Sequence, residues 1–387
     1  ENVVLIGDAA HSAQFSIGSG TKIAMEDAIA MAAAFEAGDD VQSAIALYEN
    51  GRMDEVAALQ HTAMVSLQWY ENARRYNEMA PSQYVFNYIT RSKSITYENL
   101  GLRDPSYMED VNRWFAEQVS AEQAVEIPAE DQAPPPPMFT PFRLRSMTLQ
   151  NRVVISPMCQ YSAEEGMPGD WHMVHLGGLA VGGAGLIITE MADISADGRI
   201  TQGCAGMYDE THVQAWRHIV DFVHSNSHAK ICVQLAHAGR KGSTKRPWEG
   251  EPDEPLEEGA WQTIAASPIP FHQGGPQPRE MDCGDMDRVL ADFVRAAGWA
   301  DEAGFDMIEL HMAHGYLLSS FISPLSNQRT DEYGGDLQAR MKFPLEVLDA
   351  VRAAWPDEKP ISVRISATDW VEDGGLTGDD AVQVARL

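Results

Sequence analysis

Polar side chains that can bind or transfer protons follow several short apolar runs in the second half of the chain. In chain order they are Gln234, His311, His314, Tyr316 and Arg364. Two imidazoles can hydrogen-bond an oxyanion, a phenol can give a proton, and an amide with a guanidinium can bind a pyrimidine edge. The set therefore predicts a site for a planar heteroaromatic cofactor and a carbonyl substrate.

Each of these side chains also has a plain structural interpretation. His311 and His314 could be a metal pair, but neither a third ligand nor a HExxH helix accompanies them. Cys159 could be an inert core thiol, and the tyrosines could be packing aromatics. Arg364 could form an ordinary ion pair, and a cation inside a strand requires a partner in any case. The joint placement of these residues at successive strand ends favours a functional site.

The spacing of the apolar runs predicts the elements that position these residues. Strands are predicted at 153–156, 186–189, 231–234, 307–310 and 361–365, and helices at 211–225, 285–303 and 338–354. This alternation is typical of a parallel α/β architecture. Polar residues at the carboxyl end of every strand favour a (β/α)8 TIM barrel, because all its strand ends face one mouth. We expect an incomplete barrel that holds the first five strands.

Composition limits the class of protein and its partners. The 387 residues are 44% hydrophobic and carry a net charge of −29, which disfavours binding to nucleic acid or anionic lipid. No apolar run reaches the roughly 18 residues of a membrane span. Four scattered cysteines without a CxxC motif indicate free thiols and a reducing, cytoplasmic location. We expect a small-molecule substrate and no nucleic-acid or membrane partner, and a homo-oligomer is one option for the assembly.

A second group of residues with potential chemistry lies near the start of the chain. Residues 2–6 predict a short buried strand that ends at Asp8, and a helix is predicted over 21–37, after Gly18 and Gly20 and before a capping Gly38. A carboxylate at a strand end can accept hydrogen bonds from sugar hydroxyls, and a helix N-terminus favours an anion. The alternative is that Asp8 caps a turn and that the glycines allow close packing.

The string GDAAHSAQFSIGSGTK at 7–22 resembles the second FAD-binding motif of the class A flavoprotein aromatic hydroxylases. It looks most like their aryl-CoA branch, the salicylyl-CoA 5-hydroxylases and 2-aminobenzoyl-CoA monooxygenase/reductases. The resemblance implies that Asp8 binds the ribityl chain of FAD and that Gly18 and Gly20 lie near the flavin ring. One departure is Phe15–Ile17, which stands where many of these hydroxylases carry a proline pair. The dinucleotide fingerprint of such a domain would lie upstream of residue 1.

Residues 139–387 closely resemble the old yellow enzyme family, in particular its thermophilic-like branch of FMN-dependent ene-reductases. The strings that carry the resemblance are SPMC at 156–159, QLAHAGR at 234–240, HMAHGY at 311–316 and SNQRTDEYGG at 326–335. The resemblance implies an FMN site formed by Ser156, Pro157, Met158, Cys159, Met191, Gln234 and Arg364.

The same resemblance implies individual roles. Cys159 would tune the redox potential of the flavin, and Met191 stands where the family usually has a smaller flavin-contacting residue. The substrate oxygen would be bound by His311 and His314, the proton donor would be Tyr316, and the ligand would also be touched by Tyr161. The FMN phosphate site of the family follows the last barrel strands, beyond residue 387.

The order of the two resemblances matches the bifunctional aryl-CoA monooxygenase/reductases. It implies the mainly helical C-terminal part of an FAD monooxygenase domain at 1–119, a proline-rich linker at 120–138 and an FMN barrel at 139–387, truncated before its last three strands. The chain would then be a fragment at both ends. The FAD half would hydroxylate an aromatic acyl-CoA with O2 and NAD(P)H. The FMN half would transfer hydride from NAD(P)H to an activated C=C conjugated to a carbonyl. The alternatives are an FMN ene-reductase with a vestigial FAD region, or an inactive truncated fragment, since five strands cannot close a barrel.

Overall fold

The computed structural model describes residues 3–126 and 132–387 and divides the chain into two units. Unit 1 comprises residues 1–118 and 127–137, and unit 2 comprises residues 119–126 and 138–387. The predicted linker at 120–138 begins too early, because the last helix that starts in unit 1 continues to Gln123. Residues 127–131 of that linker lie outside the described residues, and residues 132–136 form neither helix nor strand.

Unit 1 is built from helices. They are α1 (Gly20–Ala37), α2 (Val41–Glu71), α3 (Pro81–Thr90), α4 (Tyr97–Arg103) and α5 (Pro105–Gln123). The predicted helix at 21–37 and its cap are confirmed, because Gly38 donates its N–H to Ala34 O. Asp40 begins α2 with a capping box, in which Asp40 and Ser43 each accept the other's backbone N–H. α2 continues without interruption through Gly51.

The strand predicted at residues 2–6 is wrong for its described part. Residues 3–6 have no regular structure, and Val3 and Leu5 are 77% and 56% exposed. Between residues 3 and 126 the structure contains helices and turns but no strand. A lone extended segment has no neighbour to satisfy its backbone N–H and C=O groups, so an apolar run alone does not make a strand. The chain turns instead into a short 3-10 helix at Gly7–Ala9.

Unit 2 contains a parallel sheet at its centre. The strands of the unit are β1 (Phe142–Leu144), β2 (Met147–Leu149), β3 (Val154–Ile155), β4 (Leu186–Asp193), β5 (Lys230–Ala236), β6 (Ile264–Ala265), β7 (Arg279–Glu280), β8 (Met307–Met312) and β9 (Ile361–Ile365). Five of them form one sheet in the order β3-β4-β5-β8-β9, with all neighbours parallel. The five predicted strands are these five. Spatial order follows chain order, as it does when a (β/α) barrel is built strand by strand.

Helices connect the strands and cover the sheet. They are α6 (Asp170–Val181), α7 (Glu210–Asn226), α8 (Cys283–Ala303), α9 (Leu317–Ile322), α10 (Leu337–Ala354) and α11 (Gly378–Val384). Aromatic side chains of these helices fill the core, where Trp216 of α7 packs edge-on against Phe305. All four cysteines are free thiols. No helix in the described part of the chain is long and apolar enough to span a bilayer.

Candidate active site at the strand ends

A buried glutamate joins two of the predicted site residues. Glu309 Oε1 accepts hydrogen bonds from Gln234 Nε2 at 2.7 Å and from Arg364 Nε at 2.8 Å. The register of the sheet brings the three side chains together. Gln234 pairs with Glu309, and Arg364 pairs with His311, which lies two residues after Glu309 and therefore on the same face of β8. Glu309 is the partner that a cation inside a strand requires. Sequence reasoning missed it, although a carboxylate inside an otherwise apolar strand was a usable signal.

Glu309 leaves part of each partner free. The two terminal nitrogens of Arg364 and the side-chain oxygen of Gln234 have no hydrogen-bond partner among the described residues. Arg364 is only half-buried, with 28% of its side chain exposed. An amide oxygen beside guanidinium N–H groups offers the acceptor and donors that the edge of a pyrimidine ring requires. These two residues therefore fit the flavin ring that the sequence predicted.

His311 and His314 form a directed hydrogen-bonded pair. His311 Nδ1 accepts the N–H of Ala313 at 3.2 Å, and His311 Nε2 lies 3.2 Å from His314 Nδ1. A neutral imidazole has one donor nitrogen, so the network assigns the hydrogen of His311 to Nε2, from which it is donated to His314. His314 then carries its own hydrogen on Nε2, the one N–H of the pair that is left for a ligand. The sequence assigned both imidazoles to the substrate oxygen, and that role of His311 stays a prediction.

Burial keeps both imidazoles neutral. Burial is the main cause that lowers the pKa of His311 to about 3, and the charges of His314, Arg364 and Lys241 contribute in the same direction. Burial also lowers the pKa of His314, and the charges of Arg364 and Lys241 act in the same direction. Near pH 7 the pair therefore carries no charge of its own and can act only through its N–H donors.

Tyr316 lies against this pair with its phenol protonated. Its ring centroid is 4.8 Å from that of His311, with the planes at 88°. Burial raises the pKa of Tyr316 well above its ordinary value, and the nearby Cys159 and Tyr161 raise it further. Burial also raises the pKa of Cys159 to about 12, so both groups keep their hydrogens at neutral pH. The two tyrosines and Cys159 pack against Met191 of β4 in one apolar cluster.

The predicted flavin-lining residues follow β3 in a loop. Ser156 and Met158 are exposed, whereas Pro157 and Cys159 are half-buried. β4 anchors the loop, because Gln160 donates its N–H to Oε2 of Glu190 in β4 at 3.0 Å. The other oxygen of that buried carboxylate lies 3.0 Å from His172 Nε2 of α6. Glu190 and His172 were not among the predicted site residues, and nothing in the motif strings pointed to them.

Lys241 is a further residue that sequence reasoning missed. Its Nζ lies 3.3 Å from the carbonyl oxygen of His314, 5.1 Å from the ring centroid of Tyr316 and 4.3 Å from that of Phe271. Burial lowers the pKa of this amine. His314 comes this close because its backbone is left-handed, with φ of 61°, in the turn after β8. The signal was the basic residue directly after the QLAHAGR string.

In unit 1, none of the predicted FAD residues carries the buried charge. Asp8 is exposed, and Gly18 is exposed with a left-handed backbone at φ of +66°. Gly20 begins α1, and a Cβ placed there would lie 3.8 Å from Asp8 Oδ1, so these two residues are neighbours. The buried carboxylate is Asp27, which accepts from Gly7 N, His11 Nε2 and Arg52 Nε at 2.7–3.0 Å. Asp27 was not singled out from the sequence.

The fold and the strand-end site of unit 2 define a flavin oxidoreductase of the parallel α/β type. The chain belongs to the NADH:flavin oxidoreductase / NADH oxidase family, whose model matches residues 137–387. It is 44% identical over 239 residues to an NADH:flavin oxidoreductase of Gibberella zeae. The matched stretch covers 61% of this chain and 58% of that protein. It is 41% identical over 252 residues to the NADPH dehydrogenase of Geobacillus thermodenitrificans, which covers 65% of this chain and 69% of that protein.

Solved structures of the same class share the fold. Morphinone reductase in complex with tetrahydroNAD is 30% identical with a TM-score of 0.54, over 65% of this chain and 69% of that chain. Old Yellow Enzyme from a Pichia species is 29% identical with a TM-score of 0.54, over 63% of this chain and 62% of that chain. The central sheet of unit 2 is thus the curled parallel sheet of a TIM-barrel-like old yellow enzyme domain.

These comparisons do not support the aromatic-hydroxylase interpretation of the first part of the chain. The family match begins at residue 137, after the residues that carried the resemblance to FAD hydroxylases. The relatives named above are an NADH:flavin oxidoreductase, an NADPH dehydrogenase, a morphinone reductase and an Old Yellow Enzyme, and none of these names is that of a monooxygenase. Unit 1 is helical as predicted, but its assignment to an FAD monooxygenase has no support beyond the resemblance itself.

Proposed function

We propose that unit 2 is an FMN-dependent ene-reductase, which takes hydride from NAD(P)H and reduces a C=C bond conjugated to a carbonyl. The observation that carries the proposal is the pair of residues held by Glu309. Gln234 and Arg364 keep free hydrogen-bonding groups at the carboxyl end of the sheet, where Arg364 pairs in register with His311. The ring of His311 in turn contacts those of His314 and Tyr316. Family membership supports the same conclusion.

The residues present fit FMN. Gln234 and Arg364 would hold the pyrimidine edge of its ring, and the loop at 156–159 with Met191 of β4 would line the ring. Met191 lies beside Gln234 in the register of the sheet, which supports a place at the same ligand. When bound, FMN supplies the hydride-transfer chemistry that no side chain can supply.

The chain's own residues would then prepare the substrate. The Nε2–H of His314 would hydrogen-bond the carbonyl oxygen, which withdraws electrons from the conjugated C=C and makes its β-carbon electrophilic. Tyr316 would hold the proton for the α-carbon at its phenol oxygen, where its raised pKa keeps it bound until a carbanion-like centre develops. One hydride and one proton together complete the two-electron reduction of the double bond. His311 would orient His314 through their hydrogen bond.

The proposal leaves the aryl-CoA hydroxylation aside. In unit 1, the buried charged side chains are bonded to each other. Asp8 and Gly18, which the sequence predicted to bind FAD, are both exposed. A small enone-type compound is therefore the proposed substrate. The four free thiols support a reducing compartment such as the cytoplasm.

The first test measures flavin content. The reading frame that contains this chain is expressed, its flavins are released by heat, and FMN and FAD per chain are quantified by chromatography. FMN without FAD, together with NADPH-dependent reduction of 2-cyclohexenone, is the expected result. Equal FAD and FMN would return the monooxygenase/reductase interpretation, and the absence of both flavin and activity would contradict the proposal.

A second measurement tests the proton donor. The change Tyr316→Phe should slow the reduction of 2-cyclohexenone by about 100-fold, the usual size of a general-acid contribution, while reduction of the flavin by NADPH keeps its rate. Tyr333→Phe, a half-buried tyrosine that packs on Phe343 in α10, serves as the matched control. Equal rates for both variants would remove Tyr316 from the proposed role.

A further inference from the structure

A cavity of about 560 Å³ shares a wall with the candidate active site. Its lining includes His314, Arg240, Phe271 and residues 366–370. Because His314 would bind the substrate carbonyl, a substituent on the same molecule can extend directly into this space. The polar groups of the cavity therefore bear on which substrates fit.

Three hydroxyl groups of the cavity wall are oriented as donors. Each hydroxyl oxygen accepts a backbone N–H, and none of the three hydroxyl hydrogens has an acceptor among the residues that the structure describes. The bonds are Gly315 N to Ser319 Oγ at 3.2 Å, His314 N to Ser366 Oγ at 3.0 Å, and Trp370 N to Thr368 Oγ1 at 3.2 Å. A hydroxyl whose oxygen is already engaged can offer its hydrogen to a ligand.

Arg240 adds charged donors to the same cavity. Its Nη1 donates to the carbonyl oxygens of Ile269 and Pro270, both at 3.3 Å, and its guanidinium stacks on Phe271 with 5.7 Å to the ring centroid. Its Nε is buried without a partner in residues 132–387, and Nη2 forms no hydrogen bond there either. Leaving charged donors unsatisfied is costly, so a ligand that pairs with them gains affinity.

One carboxylate also lines the cavity, and one of its two oxygens is already engaged. Asp369 Oδ2 accepts Ser323 Oγ at 2.7 Å and Leu376 N at 2.8 Å. It forms no ion pair with Arg240 within 4.0 Å, although its charge favours the protonated guanidinium. Asp369 Oδ1 accepts no hydrogen bond among the described residues, but the free donors of Arg240 and of the three hydroxyl groups outnumber this one acceptor. A ligand that satisfies the cavity must be rich in acceptors.

We propose that this cavity binds an anionic substituent, a carboxylate or a phosphate, on the substrate that is being reduced. Arg240 would pair with the anion, and the hydroxyls of Ser319 and Thr368 would donate to its remaining oxygens. The inference rests on the proposed function, because it assumes that His314 binds the carbonyl of the same molecule. It makes the preferred substrate an enone with an acidic group rather than a neutral one.

The test compares substrates that differ in charge. The ratio of kcat/KM for an anionic probe to kcat/KM for 2-cyclohexenone is measured with two probes, 4-oxocyclohex-2-ene-1-carboxylate for a carboxylate and trans-2-hexenoyl-CoA for phosphates. In Arg240→Met this ratio should fall by about 10- to 100-fold for the probe that the cavity recognises, through KM, because a charge-assisted hydrogen bond is lost. Arg240→Lys keeps the charge and should recover part of the ratio.

A matched control removes the same charge elsewhere in unit 2. Arg217 pairs with Glu302 on the outer helices α7 and α8, so Arg217→Met changes the net charge equally and should leave the ratio as it is. Thr368→Val, which removes one donor, should lower the ratio by a smaller factor. Equal losses for neutral and anionic probes in Arg240→Met would overturn the proposal. So would a loss confined to flavin reduction by NADPH, since the cavity would then serve the dinucleotide.

A binding measurement separates this proposal from the proposed function. If the wild-type protein reduces no enone, the proposed function fails. Calorimetry with 4-oxocyclohexane-1-carboxylate still shows whether the cavity binds an anion. Binding that Arg240→Met weakens by 10-fold or more supports the anion site by itself. Equal binding by both proteins, or none, overturns it.

Discussion

Each unit contains a buried carboxylate that accepts several hydrogen bonds. The two clusters differ in whether the donor side chains keep polar atoms that have no partner. In unit 1, Asp27 accepts from Gly7, His11 and Arg52. Arg52 bonds Asp27 with Nε and two glutamates with its terminal nitrogens, so no nitrogen of its guanidinium is free. In unit 2, Glu309 accepts one hydrogen bond each from Gln234 and Arg364, and the other polar atoms of these two side chains have no partner among the described residues.

The difference separates a structural cluster from a ligand site. Buried polar groups are normally satisfied, and a cluster whose groups are all satisfied internally has nothing to offer a ligand. Free groups at the end of a strand, held in position by a carboxylate beneath them, are what a bound ring would satisfy. The sequence suggested flavin chemistry in both units, and the state of the donors favours unit 2.

Removal of the unit 1 carboxylate should have the largest effect, and it should be on stability alone. Asp27→Ala leaves Arg52, which is 8% exposed, without its innermost partner. Breaking a buried ion pair in this way costs about 3–5 kcal/mol. The free energy of unfolding, measured in urea by circular dichroism, should fall by that amount. The double change Asp27→Leu with Arg52→Met should recover much of the loss, and a loss of flavin at unchanged stability would reverse the assignment of the two clusters.

Glu309→Gln should weaken the binding of FMN by about 10- to 100-fold, the size of one charge-assisted hydrogen bond. Glu309 is a positioning residue, because it holds Gln234 and Arg364 without itself being placed against the ligand. FMN affinity is measured by quenching of flavin fluorescence, and Glu309→Asp should restore part of it. Glu302→Gln, on the surface of α8, is the control. A lower melting temperature with unchanged FMN affinity would make Glu309 a purely structural residue.

The sheet of unit 2 could be predicted from the sequence because its signals are local. Buried parallel strands are continuous apolar runs, and the five predicted runs became β3, β4, β5, β8 and β9. The run at residues 3–6 has the same local pattern and formed no strand, because pairing depends on a neighbour that a local pattern does not reveal. The motif strings likewise placed Gln234, His311 and Tyr316 at one edge, since parallel strands bring their carboxyl ends together.

The contacts that organise the site could not be predicted, because they join distant parts of the chain. Glu309 and Arg364 are 55 residues apart, and Gln234 and Glu309 are 75 residues apart. Lys241 reaches His314 across 73 residues through a left-handed turn. Sequence patterns reveal which residues lie at strand ends, whereas the register between strands decides which of them touch.

His237 has one hydrogen-bonded and one free nitrogen. It is therefore intermediate between the Asp27 cluster, whose groups are all satisfied, and the Glu309 cluster, whose partners keep free groups. Its Nδ1 accepts the N–H of Gly239 at 3.0 Å, and its Nε2 is buried without a partner in the described part of unit 2. Burial lowers its pKa to about 4, against the opposing charge of Asp197. The unfolded chain, with an imidazole pKa near 6.5, binds the proton first as the pH falls. Stability that depends on neutral His237 is therefore present above about pH 6.5 and is lost progressively down to about pH 4.

His237→Asn should reduce this acid sensitivity, because Asn Oδ1 can accept the Gly239 N–H and does not titrate. Between pH 7 and pH 5 the variant should lose about 1–2 kcal/mol less unfolding free energy than the wild type. His218→Asn, an exposed site on α7, is the control and should follow the wild type. Parallel pH profiles for His237→Asn and the wild type would mean that the pKa of His237 is the same in the folded and the unfolded chain, so that some contact offsets the effect of burial. Its Nε2 would then have a partner. His237 would no longer be an example of the free buried polar groups that distinguish unit 2 from unit 1.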